Sequence, residues 1–155
     1  MRQLEGDFMP FKGTIAIVAS RFNDFIVEQL IKGATATCLK QGLSESQIEI
    51  ISVPGAFELP YACKQVAKTG RYKGIIALGA VIRGGTPHFD YVASESAKGI
   101  AKVSVEMDIP ISYGVLTCDT VEQAIERAGT KAGNKGADAA LSTIEMINLT
   151  AKIHD

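Results

Sequence analysis

Apolar and polar positions switch between two periods along this chain. From Thr14 to Ala19 the run TIAIVA is apolar and largely β-branched, then breaks at Ser20-Arg21-Phe22-Asn23-Asp24, so a buried strand followed by a loop is predicted. Beyond Asp24, Val27, Leu30, Ile31, Ala34 and Cys38 recur at helical spacing, and Gln41-Gly42 supplies a stop. The couplet then returns. A second strand covers Ile48 to Val53 and ends at Pro54-Gly55; Leu59, Ala62, Cys63, Val66 and Ala67 mark the next helix, stopped by Gly70. Gly74 to Ile82 is the third strand and has no polar side, which requires cover on both faces and points to a parallel sheet between helix layers. A helix is predicted to begin near Asp90, with Val92, Ser96, Ile100, Val103 and Met107 on one face. Pro110 then extends the chain into a fourth strand from Ile111 to Leu116. Thr120 with Gln123 forms a capping-box pattern ahead of Val121, Ala124, Ile125 and Ala128, and the last helix carries Ala137, Leu141, Ile144 and Ile147.

This alternation predicts a single-domain, three-layer α/β/α sandwich. Short links and right-handed crossovers make a flavodoxin-like, four-stranded parallel sheet of order 2-1-3-4 the leading topology. Residues 1–12 have no place in that sheet and are expected to form an arm that pairs with a neighbouring subunit, which leaves residues 13–155 as the domain itself. Composition narrows the function. With 16 basic against 17 acidic residues there is no basic footprint of a nucleic-acid binder. Cys38, Cys63 and Cys118 are odd in number and lack CxxC spacing, so they read as reduced core residues. Charges at Arg2, Glu5, Asp7 and Lys12 leave no room for the apolar stretch, about 7–15 residues long, of a secretory signal. The apolar run ending at Ile82 is about half of the ~20 residues that span a bilayer, so a cytoplasmic protein without membrane segments is expected.

In open α/β sheets ligands bind beyond the carboxyl ends of the strands, and the unusual residues of this chain fall there. Ser20-Arg21-Phe22-Asn23 follows the first strand, Pro54-Gly55-Ala56-Phe57-Glu58 the second and Arg83-Gly84-Gly85-Thr86-Pro87-His88 the third. The segment GAVIRGGT from Gly79 to Thr86 approximates GxxxxGK[ST], but Gly85 stands where a lysine is required, so it is no nucleotide P-loop. Its glycines and threonine ahead of a helix suit a small phosphate ester; the plainer alternative is a tight turn with no ligand. His88 is one of two histidines, the other being His154, and neither they nor the cysteines show zinc spacing. Beside a phosphate-type turn it is a candidate acid–base group; elsewhere such a residue is usually a surface or capping one. Glu58 at a helix start has an electrostatic explanation of its own. Phe22 and Phe57 would ordinarily pack in the core, although either would stack on a planar ligand. Arg127, Lys131 and Lys135 read by default as solvated.

Taken in order, Arg21-Phe22-Asn23, Val53-Pro54-Gly55-Ala56-Phe57-Glu58, GAVIRGGTPHFDYV from Gly79 and EQAIERAGTKAGNKG from Glu122 resemble the lumazine synthases of riboflavin biosynthesis, from about Gly13 to Ile147. The resemblance implies that residues 13–155 are a catalytic domain. It would condense 5-amino-6-(D-ribitylamino)uracil with 3,4-dihydroxy-2-butanone 4-phosphate to give 6,7-dimethyl-8-ribityllumazine, phosphate and water, without cofactor or metal. Phe22 would stack on the pyrimidine, Ala56, Phe57 and Glu58 would hold the ribityl chain, and Ala80, Val81 and Ile82 would offer backbone groups to the ring. Gly85 and Thr86 would bind phosphate, His88 would move protons, and Tyr113, Arg127 and Lys135 would arrive from the adjacent chain. Tyr113 replaces the phenylalanine more frequent in the family and brings a hydroxyl that needs a partner; Gly85 occupies a variable position.

The resemblance further implies a pentamer, for which the small residues Ala93, Ala97 and Ala101 on one helix edge suit close neighbours. It extends to an icosahedral shell, given the short Gly129–Gly136 connection, and to riboflavin synthase as a candidate partner. The competing classes are a flavodoxin-like electron carrier, which lacks its Ser/Thr-rich loop here, and a non-catalytic flavin-binding or shell-forming relative, against which His88 and Arg127 both speak.

Overall fold

In a computed structural model of the protein, which describes residues 1–130 and 133–155, the strands β1 (Thr14–Ser20), β2 (Ile48–Val53), β3 (Tyr72–Ile82) and β4 (Ile111–Cys118) form one parallel sheet of order β2-β1-β3-β4. This is the predicted topology. Alternate side chains of β1 feed two separate cores. Ile15, Ile17 and Ala19 pack with α1 (Asp24–Lys40), α4 (Val121–Arg127) and α5 (Lys135–His154), while Ala16 and Val18 pack with α2 (Leu59–Lys68) and α3 (His88–Met107). No helix of the described residues is long and apolar enough to cross a membrane.

The three cysteines are free and buried, as their spacing suggests, and burial pushes the Cys38 thiol up to about 11 and the Cys63 thiol up to about 12. On the α5 face, Thr143 is fully buried and its hydroxyl lies 2.8 Å from Ser112 Oγ and 3.0 Å from Ala139 O, which registers the helix on β4.

Boundaries differ from the periodicity where pairing or capping takes over. β1 continues to Ser20, β3 starts at Tyr72 and β4 runs to Cys118, because the register partners Ser20↔Val53, Thr14↔Tyr72 and Ile82↔Cys118 complete the ladders whatever the side-chain polarity. α3 begins at His88 rather than near Asp90, since Pro87, with φ at −72°, serves as its N-cap. A small hairpin was not foreseen. β5 (Ala128–Thr130) and β6 (Gly133–Asn134) pair antiparallel, with Gly129 and Gly133 at φ 138° and 77°, a conformation that hydrophobic patterns do not report. Asn134 then caps α5, accepting from Ala137 N at 3.0 Å and donating to Gln29 O at 2.9 Å and Ala128 O at 3.0 Å. Lys131 lies outside the described residues.

The arm before β1 forms no strand. Asn148 on α5 donates to Asp7 Oδ1 at 2.8 Å and to Met9 O at 2.9 Å, and Lys152 reaches Asp7 Oδ2 at 2.8 Å. The Lys152 ammonium, with the Met9 amide, holds the Asp7 carboxyl below its usual range. Its polar groups are thus held by its own chain, while Leu4, Phe8 and Met9 remain exposed.

Gly136 marks the tightest approach of α5 to α1, where an added Cβ would collide with the Leu30 carbonyl oxygen. Gly136→Ala should therefore lower stability by about 1–3 kcal/mol, as overpacking does. Gly85→Ala, whose Cβ meets nothing within 4 Å, should leave the denaturation midpoint unchanged. Equal midpoints for both variants in denaturant titrations would contradict this packing.

Candidate active site

Three loops meet beyond the carboxyl ends of β1, β2 and β3, and backbone bonds fasten them together. Arg21 N donates to Val53 O at 2.8 Å and Phe22 N to Pro54 O at 3.0 Å, tying the first loop to the second. Asn23 sits in the left-handed region at φ 62°, a conformation asparagine tolerates, and its Nδ2 donates to Ala80 O at 2.9 Å. That carbonyl is available because β1 pairs with β3 only as far as Leu78, whereas β4 follows β3 to Ile82. One edge of Ala80–Ile82 is thereby left without a strand partner.

The sequence-predicted residues divide into two groups, apart from Gly85, which lines neither space. Phe22, Ala56, Phe57, Glu58 and His88 line one cleft of about 510 Å³. A contiguous hollow of about 170 Å³ adds Ala80, Val81, Ile82 and Thr86, with Gly84 of the glycine turn, and shares Phe22, Ala56 and His88. Phe22 is 72% and Phe57 58% exposed, so neither belongs to the core. The second loop places Phe57 by a 3₁₀ turn over Ala56–Glu58, whose last residue, Glu58, is also the N-cap of α2.

The third loop presents Gly84, Gly85 and Thr86 to solvent ahead of α3. Gly84 and Gly85 are not in the left-handed region, and a Cβ at either would meet nothing. Neither the backbone angle nor the packing of the turn therefore demands glycine at these two positions. His88, the first residue of α3, is exposed at the mouth of the cleft. Asn23 and Tyr91 also line this space, although neither carries a hydrophobic period or motif of its own that marks it as a site residue.

Tyr113, Arg127 and Lys135 are not in that cleft. They line a separate hollow of about 490 Å³ along the free edge of β4, with Asp138 of α5, and the two spaces share no lining residue. Arg127 Nη1 donates to Gln123 O at 3.2 Å, and Lys135 Nζ lies 3.7 Å from Asp138 Oδ2. Thr120 accepts from Gln123 N at 3.1 Å as the capping pattern requires, but Gln123 Oε1 accepts from Asp119 N rather than from Thr120.

The Tyr113 hydroxyl finds its partner in Ser96 Oγ at 2.8 Å, on the fully buried side of α3. Burial pushes the phenol up from its ordinary value, and the Ser96 hydroxyl pulls the other way. Among the described residues, no three His, Cys, Asp or Glu side chains converge as a metal site would require.

An open parallel α/β sheet with a cleft beyond the carboxyl ends of its strands is the architecture in which α/β enzymes hold their ligands. A family model of 6,7-dimethyl-8-ribityllumazine synthase matches residues 12–151 of the 155. The chain belongs to this family of transferases, which act in riboflavin biosynthesis.

Ser96 Oγ also lies 3.0 Å from the Ala93 carbonyl, which can only accept, so the serine proton goes there and the phenol donates to Ser96. Ser96→Ala should then cost about 1 kcal/mol, because the half-exposed phenol loses its acceptor, and Tyr113→Phe should cost less. Chemical denaturation of both variants checks this; a costlier Tyr113→Phe would reverse the assignment.

Proposed function

We propose that the protein condenses 5-amino-6-(D-ribitylamino)uracil with 3,4-dihydroxy-2-butanone 4-phosphate to 6,7-dimethyl-8-ribityllumazine, phosphate and water, residues 13–155 forming the catalytic domain and residues 1–12 its arm. The observation that carries this reading is the division of the matching residues into two hollows. One holds exposed aromatics, a carboxylate and the histidine; the other holds the guanidinium and ammonium that a phosphate ester needs.

On this reading Phe22 stacks on the pyrimidine, Phe57 and Glu58 take the ribityl chain together with Ala56, and the unpaired edge of Ala80–Ile82 meets the ring through backbone groups. Gly85 and Thr86 receive the phosphate from one side, and Arg127 and Lys135 of the adjacent subunit from the other, with Tyr113 closing the pyrimidine side. The amine attacks the ketone and water leaves as the imine forms. Loss of the proton from the adjacent hydroxyl-bearing carbon then expels phosphate and leaves an enol. Protonation of the enol's terminal carbon creates a methyl ketone, and ring closure of the second nitrogen onto that new carbonyl releases a second water. The stages move protons off nitrogen and carbon and onto oxygen and carbon, and His88 at the cleft mouth is placed to take and return them. Holding the two substrates face to face supplies the rest, since positioning can contribute roughly 7–11 kcal/mol.

Two hollows that share no residue on one chain support completion of each site by a neighbour, and a heterologous contact of that kind forms a ring when its rotation closes. The pentamer, its packing into an icosahedral shell and a cytoplasmic location belong to the same proposal. Riboflavin synthase, which would consume the product, is the proposed partner.

Mixing the purified protein with both substrates should produce the absorbance and fluorescence of the lumazine. Arg127→Ala should nearly abolish turnover, because no neutral side chain replaces a charge-assisted guanidinium–phosphate grip. Normal kinetics for the butanone phosphate in that variant would remove Arg127 from the site.

A further inference from the structure

Arg83 has no part in the chemistry above, yet it is the most heavily engaged side chain of the loop that carries the glycine turn. Its Nε donates to Asp119 Oδ1 at 2.9 Å and its Nη1 to Asp90 Oδ1 at 3.3 Å. The guanidinium carbon lies 4.3 Å from the centre of the Phe89 ring, and Arg83 N donates to Cys118 O at 2.9 Å. Phe89 and Asp90 directly follow His88 in the first turn of α3, while Asp119 lies between β4 and α4.

The connection continues beyond these contacts. Asp119 N donates to Gln123 Oε1 at 2.8 Å, and the Gln123 carbonyl accepts from Arg127 Nη1 at 3.2 Å. One guanidinium thus joins the helix start that carries His88 to the segment leading into the helix that carries Arg127.

This network contributes little to the stability of the fold. The side chains of Arg83, Asp90 and Asp119 are 44%, 59% and 66% exposed, and ion pairs so open to water are worth about 0–1 kcal/mol at best. Its content is geometric. A planar fork that reaches two carboxylates from different elements while lying on an aromatic face fixes an angle, which a lysine ammonium on a flexible stem does not reproduce. Between Arg83 and His88 the chain has no side-chain hydrogen bond among the described residues, and Gly84 and Gly85 have open space around them. Without the guanidinium, the helix start keeps its Phe89 packing and its main-chain bonds, but the turn loses the side-chain tie that fixes its angle to Asp119.

We propose that Arg83 is a positioning residue of the reaction: by joining Phe89 and Asp90 to Asp119 it sets where His88 and the Gly84–Thr86 turn stand relative to the bound butanone phosphate. The inference rests on the lumazine synthase reading given above. It predicts a selective defect, because Phe22, Phe57 and Glu58 are held by other loops.

Steady-state kinetics of the assembled enzyme test it. Arg83→Met should lower kcat roughly 10- to 100-fold, as small displacements of reacting groups do, and raise KM for the butanone phosphate. KM for the ribitylaminouracil and the thermal unfolding midpoint should remain close to wild type, and Arg83→Lys should restore only part of the loss. An unaffected Arg83→Met, or an Arg83→Lys equal to wild type, would overturn the proposal. A variant in which both KM values and the unfolding midpoint change together would make Arg83 a structural residue and overturn it as well. A wild-type protein that forms no lumazine defeats the reaction reading and the inference with it, whereas an active wild type beside an unaffected variant defeats the inference alone.

Discussion

The burial of the middle of β3 on both faces is the constraint on which the rest of the molecule depends. From Ile75 to Leu78 its side chains have no contact with solvent, so helices must cover both faces and every connection must cross over rather than turn back. Packing is close enough to exclude a Cβ at several positions. A methyl group on Gly74 would stand 2.7 Å from Thr143 Cγ2, and one on Gly79 would stand 2.7 Å from Ser20 Oγ. The second contact lies where β1 ends, and from there β3 runs on alone on that side to Ile82. The stagger between the two strands produces the ledge around which the candidate site is built.

What stands on the ledge is ordered by the same parallel geometry. Each strand delivers its loop to one rim, and the loops are fastened to one another by main-chain bonds and by Asn23 rather than by the aromatics they carry. Phe22 and Phe57 are left free to face a ligand from a rigid base, which is how exposed apolar rings become useful instead of merely unfavourable. The β4 edge is the other consequence. An edge strand with a guanidinium and an ammonium beside it is open to a neighbour. In the proposed assembly that neighbour brings the first cleft to it.

Much of this architecture was legible in the pattern of residues. The all-apolar third strand implied two helix layers, and the turn-forming clusters after each strand marked the rim that carries the candidate site. Features that failed to register are those without hydrophobic period. The β5–β6 hairpin depends on backbone angles at Gly129 and Gly133, the start of α3 on Pro87, and the role of Asn23 on a left-handed conformation. Arg83 reads as an ordinary polar end to a strand, because its partners Asp90 and Asp119 are brought to it only by the fold. Tyr113, Arg127 and Lys135 drew attention through the family resemblance alone, since on a single chain they face a hollow of their own.

On the proposed function the two hollows are halves of one site, completed between neighbouring subunits. Subunit complementation tests it most directly: a Phe22→Ala/His88→Ala double variant is co-assembled with Arg127→Ala, each defective in a different half. If the halves come from different chains, roughly a quarter of the interfaces in an equal mixture should carry two intact halves, and activity should rise well above that of either parent. Activity equal to the average of the two parents, in particles shown to contain both chains, would place the complete site within one subunit and contradict the account.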